Sequence, residues 1–319
     1  MRITRRLTGG LVFAALALGL TLKPAAAQYP EKPITLIIPL GAGGSHDLNA
    51  RVFTSILPEY IGQPVVVKLM PGASGQTGTA AAAGAPADGY TLLFSHNYFD
   101  QLQQHIVELP YQPTEDFVTV ARLNTAPLSV VVRSDSDWTS LEQMFTWAKE
   151  HPGELKFGHS GQWGAVMVPG VQLLQQAGLD ASLTPFQGGG PALQALLAGD
   201  VDFTLAFPSV IEGQGDAVRV LASAGEERLY PDVPTLRELG YEQDIGVMHR
   251  IVLAPRGTPD EVLQTLRDGF AQLPEDTTYR NLMARLGEDP ATYMDGAAYE
   301  ERRPQQSEAF QQLIESFKG

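Results

Sequence analysis

Four glycine-rich loops stand where backbone amides could bind an anion. They cover residues 39–47, 70–78, 159–164 and 186–191, and each follows a predicted strand and precedes a predicted helix. Such a loop presents N–H groups and the positive end of a helix dipole to a negative group. A single loop of this type is more often only a tight turn. Four of them at the carboxyl ends of strands, where open α/β sheets bind ligands, favour a ligand site.

The first loop does not match the common nucleotide-binding motifs. His46 stands where the third glycine of G-x-G-x-x-G would fall, and no Gly-Lys-Ser or Gly-Lys-Thr follows. A His46 that contacted ligand would titrate near neutral pH, although an exposed loop histidine without a role fits the sequence equally well. Asp47 opens the predicted helix, so a role as N-cap competes with a ligand contact.

The competing function class is a hydrolase, and its motifs are incomplete. The segment 158–162 lacks the last glycine of a G-x-S-x-G elbow. His159 and Ser160 are adjacent on a predicted strand, so their side chains would point to opposite faces. The six histidines show no metal-ligand spacing, and there is no cysteine. We therefore expect no catalytic residue, no metal and no cofactor.

Short apolar strands alternate with helical patterns along the chain. Strands are predicted at 34–38, 65–69, 90–94, 128–133, 155–158, 183–186, 201–206, 218–222 and 246–254, and helices include 50–61, 78–83, 192–197 and 297–317. Uninterrupted apolar strands separated by helices predict mostly parallel sheets covered on both faces. No flexible linker divides the chain, so we expect two lobes joined by extended strands that cross near 125–128 and 248–250.

The first 27 residues have the pattern of an export signal. Arg2, Arg5 and Arg6 precede an apolar run over 11–22, and small residues at 25–27 predict cleavage near Ala27. Sec and twin-arginine export both stay open. Without the four basic leader residues, 18 Lys and Arg remain against 36 Asp and Glu, a net charge of −18. Nucleic acid and anionic membrane surfaces are poor partners for such a chain.

Ordered sequence blocks give the chain a resemblance to a known family. They are YPEKPI at 29–34, the loop at 39–47, GQPVVV at 62–67, PGASG at 71–75, PADGYTLL at 86–93, GGGPAL at 188–193, LAGDVD at 197–202, PDVPT at 231–235 and APRGTP at 254–259. In their order and spacing these blocks resemble the substrate-binding proteins of tripartite tricarboxylate transporters, the Bug receptors. The resemblance covers nearly the whole chain after the leader.

The resemblance implies a periplasmic binding-protein fold, in which two α/β lobes joined by two crossing strands enclose a ligand cleft. The expected lobes are 28–126 with 249–319, and 127–248. Backbone amides and ordered water would hold a small organic carboxylate. The implied first-lobe contacts are Leu40, Gly41, Ala42, Gly43, Gly44, Ser45, His46, Asp47, Ser74 and Gly75, and the second-lobe contacts are Ser160, Gly161, Gln162, Trp163, Gly164, Ala165, Gly188, Gly189 and Gly190.

Departures from the family pattern bear on the ligand. His46 replaces a usual threonine, the second lobe has fewer hydroxyl donors, and Trp163 has been gained. We therefore hypothesise, from Trp163 and Phe207, a larger or aromatic acid beside the di- and tricarboxylates, although either ring could be core. The resemblance implies a monomeric periplasmic receptor that serves membrane permease subunits. A receptor that signals to a membrane sensor would look the same in sequence.

Overall fold

The computed structural model describes residues 29–241 and 246–316. The predicted export signal at 1–27 lies outside the described residues. The strands are β1 (Ile34–Ile38), β2 (Val65–Leu69), β3 (Thr91–His96), β4 (Phe117–Pro127), β5 (Ser129–Arg133), β6 (Lys156–His159), β7 (Ser182–Pro185), β8 (Phe203–Ala206), β9 (Val218–Ser223), β10 (Val247–Pro255) and β11 (Met294–Asp295).

Helices lie between most of these strands. They are α1 (Ser45–Ile56), α2 (Pro58–Ile61), α3 (Gln76–Ala83), α4 (Pro113–Asp116), α5 (Leu141–Glu150), α6 (Met167–Gln176), α7 (Gly189–Ala198), α8 (Pro208–Ile211), α9 (Asp260–Ala271), α10 (Thr277–Arg285) and α11 (Gly296–Ser316). A π-helical turn over Tyr98–Leu102 follows β3. In the described ranges, 29–241 and 246–316, the protein has no helix with the length and hydropathy needed to cross a membrane.

The strands form two sheets, which define the two lobes. The first lobe contains six strands in the order β11-β4-β10-β3-β1-β2, and the second contains five in the order β7-β6-β8-β5-β9. Four strand pairings are parallel and five are antiparallel. The expectation of mostly parallel sheets is therefore wrong, because β4, β5 and β10 run against their neighbours.

Two neighbouring strands carry the chain between the lobes. β4 belongs to the first sheet and β5 to the second, and Leu128 alone separates them. The returning strand β10 pairs antiparallel with β4, and Val247 lies opposite Pro127. The Leu128 N–H also donates to the Gly246 carbonyl at 3.0 Å. Both crossings therefore lie within one hydrogen-bonded ladder.

One helix differs from its predicted bounds, and one strand was not predicted. The predicted helix over 50–61 begins earlier, at Ser45, and is divided at Leu57, because Pro58 has no N–H to donate to the preceding turn. The long strand β4 was not predicted, because Arg122 and Asn124 interrupt its apolar pattern. Both polar side chains have partners: Arg122 donates to the Thr292 carbonyl, and Asn124 is fully buried in a polar cluster.

The last helix lies only partly on the surface. Much of α11 is exposed, but Tyr299 and Arg303 are buried, and Phe310 and Ile314 pack in the same apolar cluster as the second sheet. Arg303 forms an ion pair with the buried Asp100 at 2.7 Å. Through this ion pair α11 holds the π-helical turn in place, and through Phe310 and Ile314 it also packs against the second lobe.

Candidate ligand-binding site

A small cavity lies between the lobes, next to the start of α1. Its volume is about 30 Å³, which is enough for a few non-hydrogen atoms, each about the size of a water molecule. The predicted site residues that line it are Leu40, Gly44, Ser45, His46, Ser160, Ala165, Gly189 and Phe207. The residues that sequence reasoning missed are His96, Val166, Leu205, Ala206, Val210 and Met248. We call this space the inner cavity.

A second cavity, of about 100 Å³, lies next to the inner cavity. Leu40 and Ser160 separate the two cavities and line both of them. We call the second cavity the outer cavity. Its lining adds three predicted residues, Ser74, Gly75 and Gly161, and its other walls are Pro39, Pro185, Phe186 and Gln187. Together the two cavities lie along the interface between the first and second lobes.

The remaining predicted residues line neither cavity. They are Gly41, Ala42, Gly43, Asp47, Gln162, Trp163, Gly164, Gly188 and Gly190. Several of them bring the lobes together. The Gly41 N–H donates to the Gln187 carbonyl at 2.8 Å, and the Gln162 N–H donates to Ser74 Oγ at 3.0 Å.

Two of these glycines are required by the closeness of the lobes. A Cβ at Gly41 would lie 2.7 Å from the Gln187 carbonyl oxygen, and one at Gly190 would lie 2.7 Å from the Ala42 carbonyl oxygen. A side chain at either position would force the backbones of the two lobes apart. These loop glycines therefore permit contact between lobes as well as access to a ligand.

Two helix N-termini converge on the inner cavity. Gly44 and Ser45 open the 12-residue helix α1, and Gly189 opens the 10-residue helix α7. Neither helix has a side-chain cap at its N-terminus. The first-turn N–H groups of a helix have no partner within the helix, and the helix dipole makes this end positive. Both features favour a negatively charged group in the cavity.

Asp47 belongs to the loop structure and not to the cavity wall. It is buried within the first turn of α1, whose N-cap is Gly44, so the N-cap interpretation of Asp47 is wrong. Its carboxylate accepts the Gly43 N–H at 2.9 Å and pairs with Arg51 at 3.0 Å. Asp47 therefore fixes the conformation of the first loop.

The two aromatic candidates lie in different places. Trp163 has φ 56° and packs, partly buried, against the core of the second lobe. Phe207 is part of the same core and also lines the inner cavity. The Arg250 guanidinium carbon lies 5.4 Å from the centre of the Phe207 ring, within range of a cation–π contact. Phe207 alone of the two could contact a ligand in the inner cavity.

A buried ionic cluster supports the site from the first lobe. The side chains of Arg250 and Glu288 are 0% and 1% exposed, and two hydrogen bonds of 2.7 Å join them. Arg250 also donates to Ser45 Oγ at 3.0 Å, at the start of α1. Glu288 accepts the N–H of Ser209, a second-lobe residue, at 3.3 Å. The cluster therefore contacts α1 and both lobes.

Two buried histidines face the inner cavity, and both are held neutral. Burial, together with the nearby Arg250 cation, lowers the pKa of His46 to about 3. Burial also lowers the pKa of His96 well below its usual value, with His46 and Arg250 adding to the effect. The expectations that His46 is exposed or titrates near neutral pH are therefore wrong. His96 ends β3, so the rule that places ligands at strand ends could have identified it.

Metal binding has no support in the described part of the chain. Across 29–241 and 246–316 no three His, Cys, Asp or Glu side chains are grouped so that they could hold a metal ion. The linings of both cavities, as far as the structure describes them, contain no Lys or Arg. Any anion in the inner cavity would be held by helix ends, neutral side chains and the field of the buried Arg250.

Comparison with solved structures identifies the class of protein. The structure of the periplasmic binding protein BugD matches with a TM-score of 0.85 and 25% identity over 90% of this chain and 98% of that chain. MatC from Rhodopseudomonas palustris, solved with bound malate, matches with a TM-score of 0.80 and 25% identity over 90% of this chain and all of that chain. The fold is thus that of a two-lobed periplasmic binding protein, as the sequence predicted.

The family follows from sequence. Residues 49–318 match the tripartite tricarboxylate transporter family receptor profile. BugT from Bordetella pertussis is 34% identical over 274 residues, which cover 83% of each chain. The chain belongs to the tripartite tricarboxylate transporter receptor family, also called the Bug receptors. The family and fold are those of periplasmic solute-binding receptors.

Proposed function

We propose that this protein binds a small organic carboxylate between its lobes and delivers it to the permease subunits of a tripartite tricarboxylate-type transporter. It acts as a monomeric receptor and not as an enzyme. The observation that carries the proposal is the convergence of α1 and α7 on the inner cavity. Uncapped helix N-termini bind a carboxylate without any basic side chain in the lining.

The proposed ligand position uses both cavities. One carboxylate lies in the inner cavity at Gly44, Ser45 and Gly189, and the rest of the molecule passes Leu40 and Ser160 toward the outer cavity. MatC, which shares the fold and was solved with malate, supports a small dicarboxylate as the starting candidate. Phe207 is the one predicted aromatic residue placed to contact a larger acid.

The proposed lobes are 28–126 with 249–319, and 127–248, with export to the periplasm and removal of 1–27. N-terminal sequencing of the protein from a periplasmic fraction tests the processing, and Gln28 is the expected first residue. Retention of Met1 on protein found in the cytoplasmic fraction would contradict it.

The ligand test is a thermal-shift panel of mono-, di-, tri- and aromatic carboxylates on protein freed of bound ligand by unfolding and refolding. A true ligand at 100 times its dissociation constant adds about 2.7 kcal/mol of stability. For a protein of this size the midpoint would rise by several degrees. If no carboxylate raises the midpoint, or if the protein hydrolyses ester substrates instead of binding acids stoichiometrically, the proposed function is wrong.

A further inference from the structure

The two cavity histidines have fixed and complementary hydrogen-bonding roles. His46 Nε2 lies 3.1 Å from the Ser95 carbonyl oxygen, which can only accept, so Nε2 carries the ring proton. The ring is neutral, and His46 Nδ1 is therefore an acceptor. His96 Nδ1 accepts the Phe99 N–H at 3.4 Å, so in the neutral ring His96 Nε2 carries the proton and is a donor.

Both of the remaining ring nitrogens are without a protein partner. Among the described residues, neither His46 Nδ1 nor His96 Nε2 has a hydrogen bond to another residue. Both residues are 2% exposed, both line the inner cavity, and their ring centres are 5.2 Å apart. Both nitrogens therefore have hydrogen-bonding capacity that only a molecule in the cavity can use, and a ligand that supplies both partners gains more than one that supplies a single partner.

We infer that the His46–His96 pair selects a carboxylic acid that carries a hydroxyl group close to its carboxylate. A hydroxyl donates its proton to His46 Nδ1 and accepts from His96 Nε2–H with the same oxygen. A carboxylate oxygen can only accept, so it would leave His46 Nδ1 unpaired. A hydrogen in place of the hydroxyl would leave both nitrogens unpaired.

The inference rests on the proposed function, because the helix ends must hold the carboxylate that places the hydroxyl. It adds a selectivity that helix ends alone do not provide, since backbone amides distinguish a carboxylate from other groups but not its substituents. Sites built to hydrogen-bond a hydroxyl discriminate strongly against the analogue that lacks it, because their polar groups are then buried without partners.

The test compares acids of equal charge that differ by one hydroxyl: malate with succinate, and mandelate with phenylacetate. Dissociation constants are measured by titration calorimetry on the refolded, ligand-free protein. For whichever pair binds, we expect the hydroxy acid to bind at least roughly tenfold more tightly than the acid without the hydroxyl. This difference in affinity equals about 1.4 kcal/mol of binding free energy. Equal affinities within a pair would overturn the inference and leave the proposed function intact. Absence of binding by all four acids and by the wider carboxylate panel would overturn the proposed function itself.

Variants assign the preference to the histidines. His46→Phe removes the acceptor, and we expect it to bring the affinity ratio close to one, mainly by weakening the hydroxy acid. His96→Gln retains an N–H donor at a similar reach and should keep part of the preference. His105→Phe is the control, because His105 is partly buried and hydrogen-bonded to Ser307 Oγ at 2.8 Å but lines neither cavity. A ratio unchanged in folded His46→Phe would refute the assignment; if that variant does not fold, the ratio in the unaltered protein decides the inference.

Discussion

Replacing Glu288 with glutamine would leave the Arg250 guanidinium buried without its counter-charge. The two side chains are 0% and 1% exposed and share two hydrogen bonds of 2.7 Å. Charge-assisted hydrogen bonds contribute about 1.5–3 kcal/mol each. Glutamine can accept at one of the two positions, but its NH2 group faces a second donor at the other.

The expected loss of unfolding free energy is therefore about 3–5 kcal/mol, the range found when one partner of a buried ion pair is removed. In a protein of this size it corresponds to a fall of about 6–10 °C in the unfolding midpoint. Differential scanning calorimetry at pH 7, without ligand, measures it. The control is Glu238→Gln, because Glu238 also pairs with an arginine, Arg228, at 2.9 Å, but both side chains of that pair are 45% exposed. We expect little change there.

The double variant Arg250→Met with Glu288→Gln tests the physical reason. If the loss comes from an unpaired buried cation, then removing the cation as well should restore most of the stability. Glutamine could still accept the Ser209 N–H in that background. A Glu288→Gln protein as stable as Glu238→Gln would refute the reasoning, and so would a double variant no more stable than the single one.

Two further predictions concern lobe contact and pH. Gly190→Ala should weaken carboxylate binding by at least roughly tenfold, about 1.4 kcal/mol, because its Cβ would lie 2.7 Å from the Ala42 carbonyl oxygen of the facing lobe. Gly213→Ala, with no atom within 4 Å of its Cβ, should bind normally in the same calorimetric titration, and equal affinities for the two variants would contradict the contact. Burial, with Arg122 nearby, lowers the pKa of His249 from 6.5 to about 4, so the unfolded chain takes up this proton at a higher pH than the folded protein does. Proton uptake by His249 in the unfolded chain should therefore lower the free energy of unfolding as the pH falls from 6.5 to 4. The decrease should be up to about 1.4 kcal/mol per pH unit. Chemical unfolding across this range should show a shallower pH dependence for His249→Asn, and an unchanged slope would argue against a partly buried, neutral His249.

Local sequence patterns predicted the parts of the fold that depend on local interactions. The strand preceding the first loop is confirmed, because an apolar run specifies it within a few residues. The two-lobed receptor fold, which the resemblance to the Bug receptors implied, is also confirmed. The sheets are less parallel than expected, because strand direction depends on pairing between distant segments. β4 was missed because Arg122 and Asn124 are satisfied by residues far along the chain.

The arrangement of the candidate site also depends on contacts between distant segments, which the sequence alone did not predict. Glycines in the loops were predicted as ligand contacts, but the approach of Gly41 to Gln187 depends on how one lobe meets the other. Arg250 and Glu288 could not be paired from the sequence, because they are 38 positions apart and neither belongs to a recognisable motif. The role of His46 depends on Ser95 and His96, which only the tertiary fold brings beside it. The ligand-binding roles of the predicted residues stay predictions.

The paired crossing strands determine which lobe movements are easy. Since Pro127 and Val247 face each other in one ladder, sliding one connection past the other would break the backbone hydrogen bonds between β4 and β10. Bending both strands together at the crossing, about an axis that runs across them, would preserve most of these bonds. The lobes should therefore open and close by rotation about one hinge axis at the crossing, which brings the two glycine-rich edges together. A ligand held at one edge is then already aligned with the other edge when the angle closes.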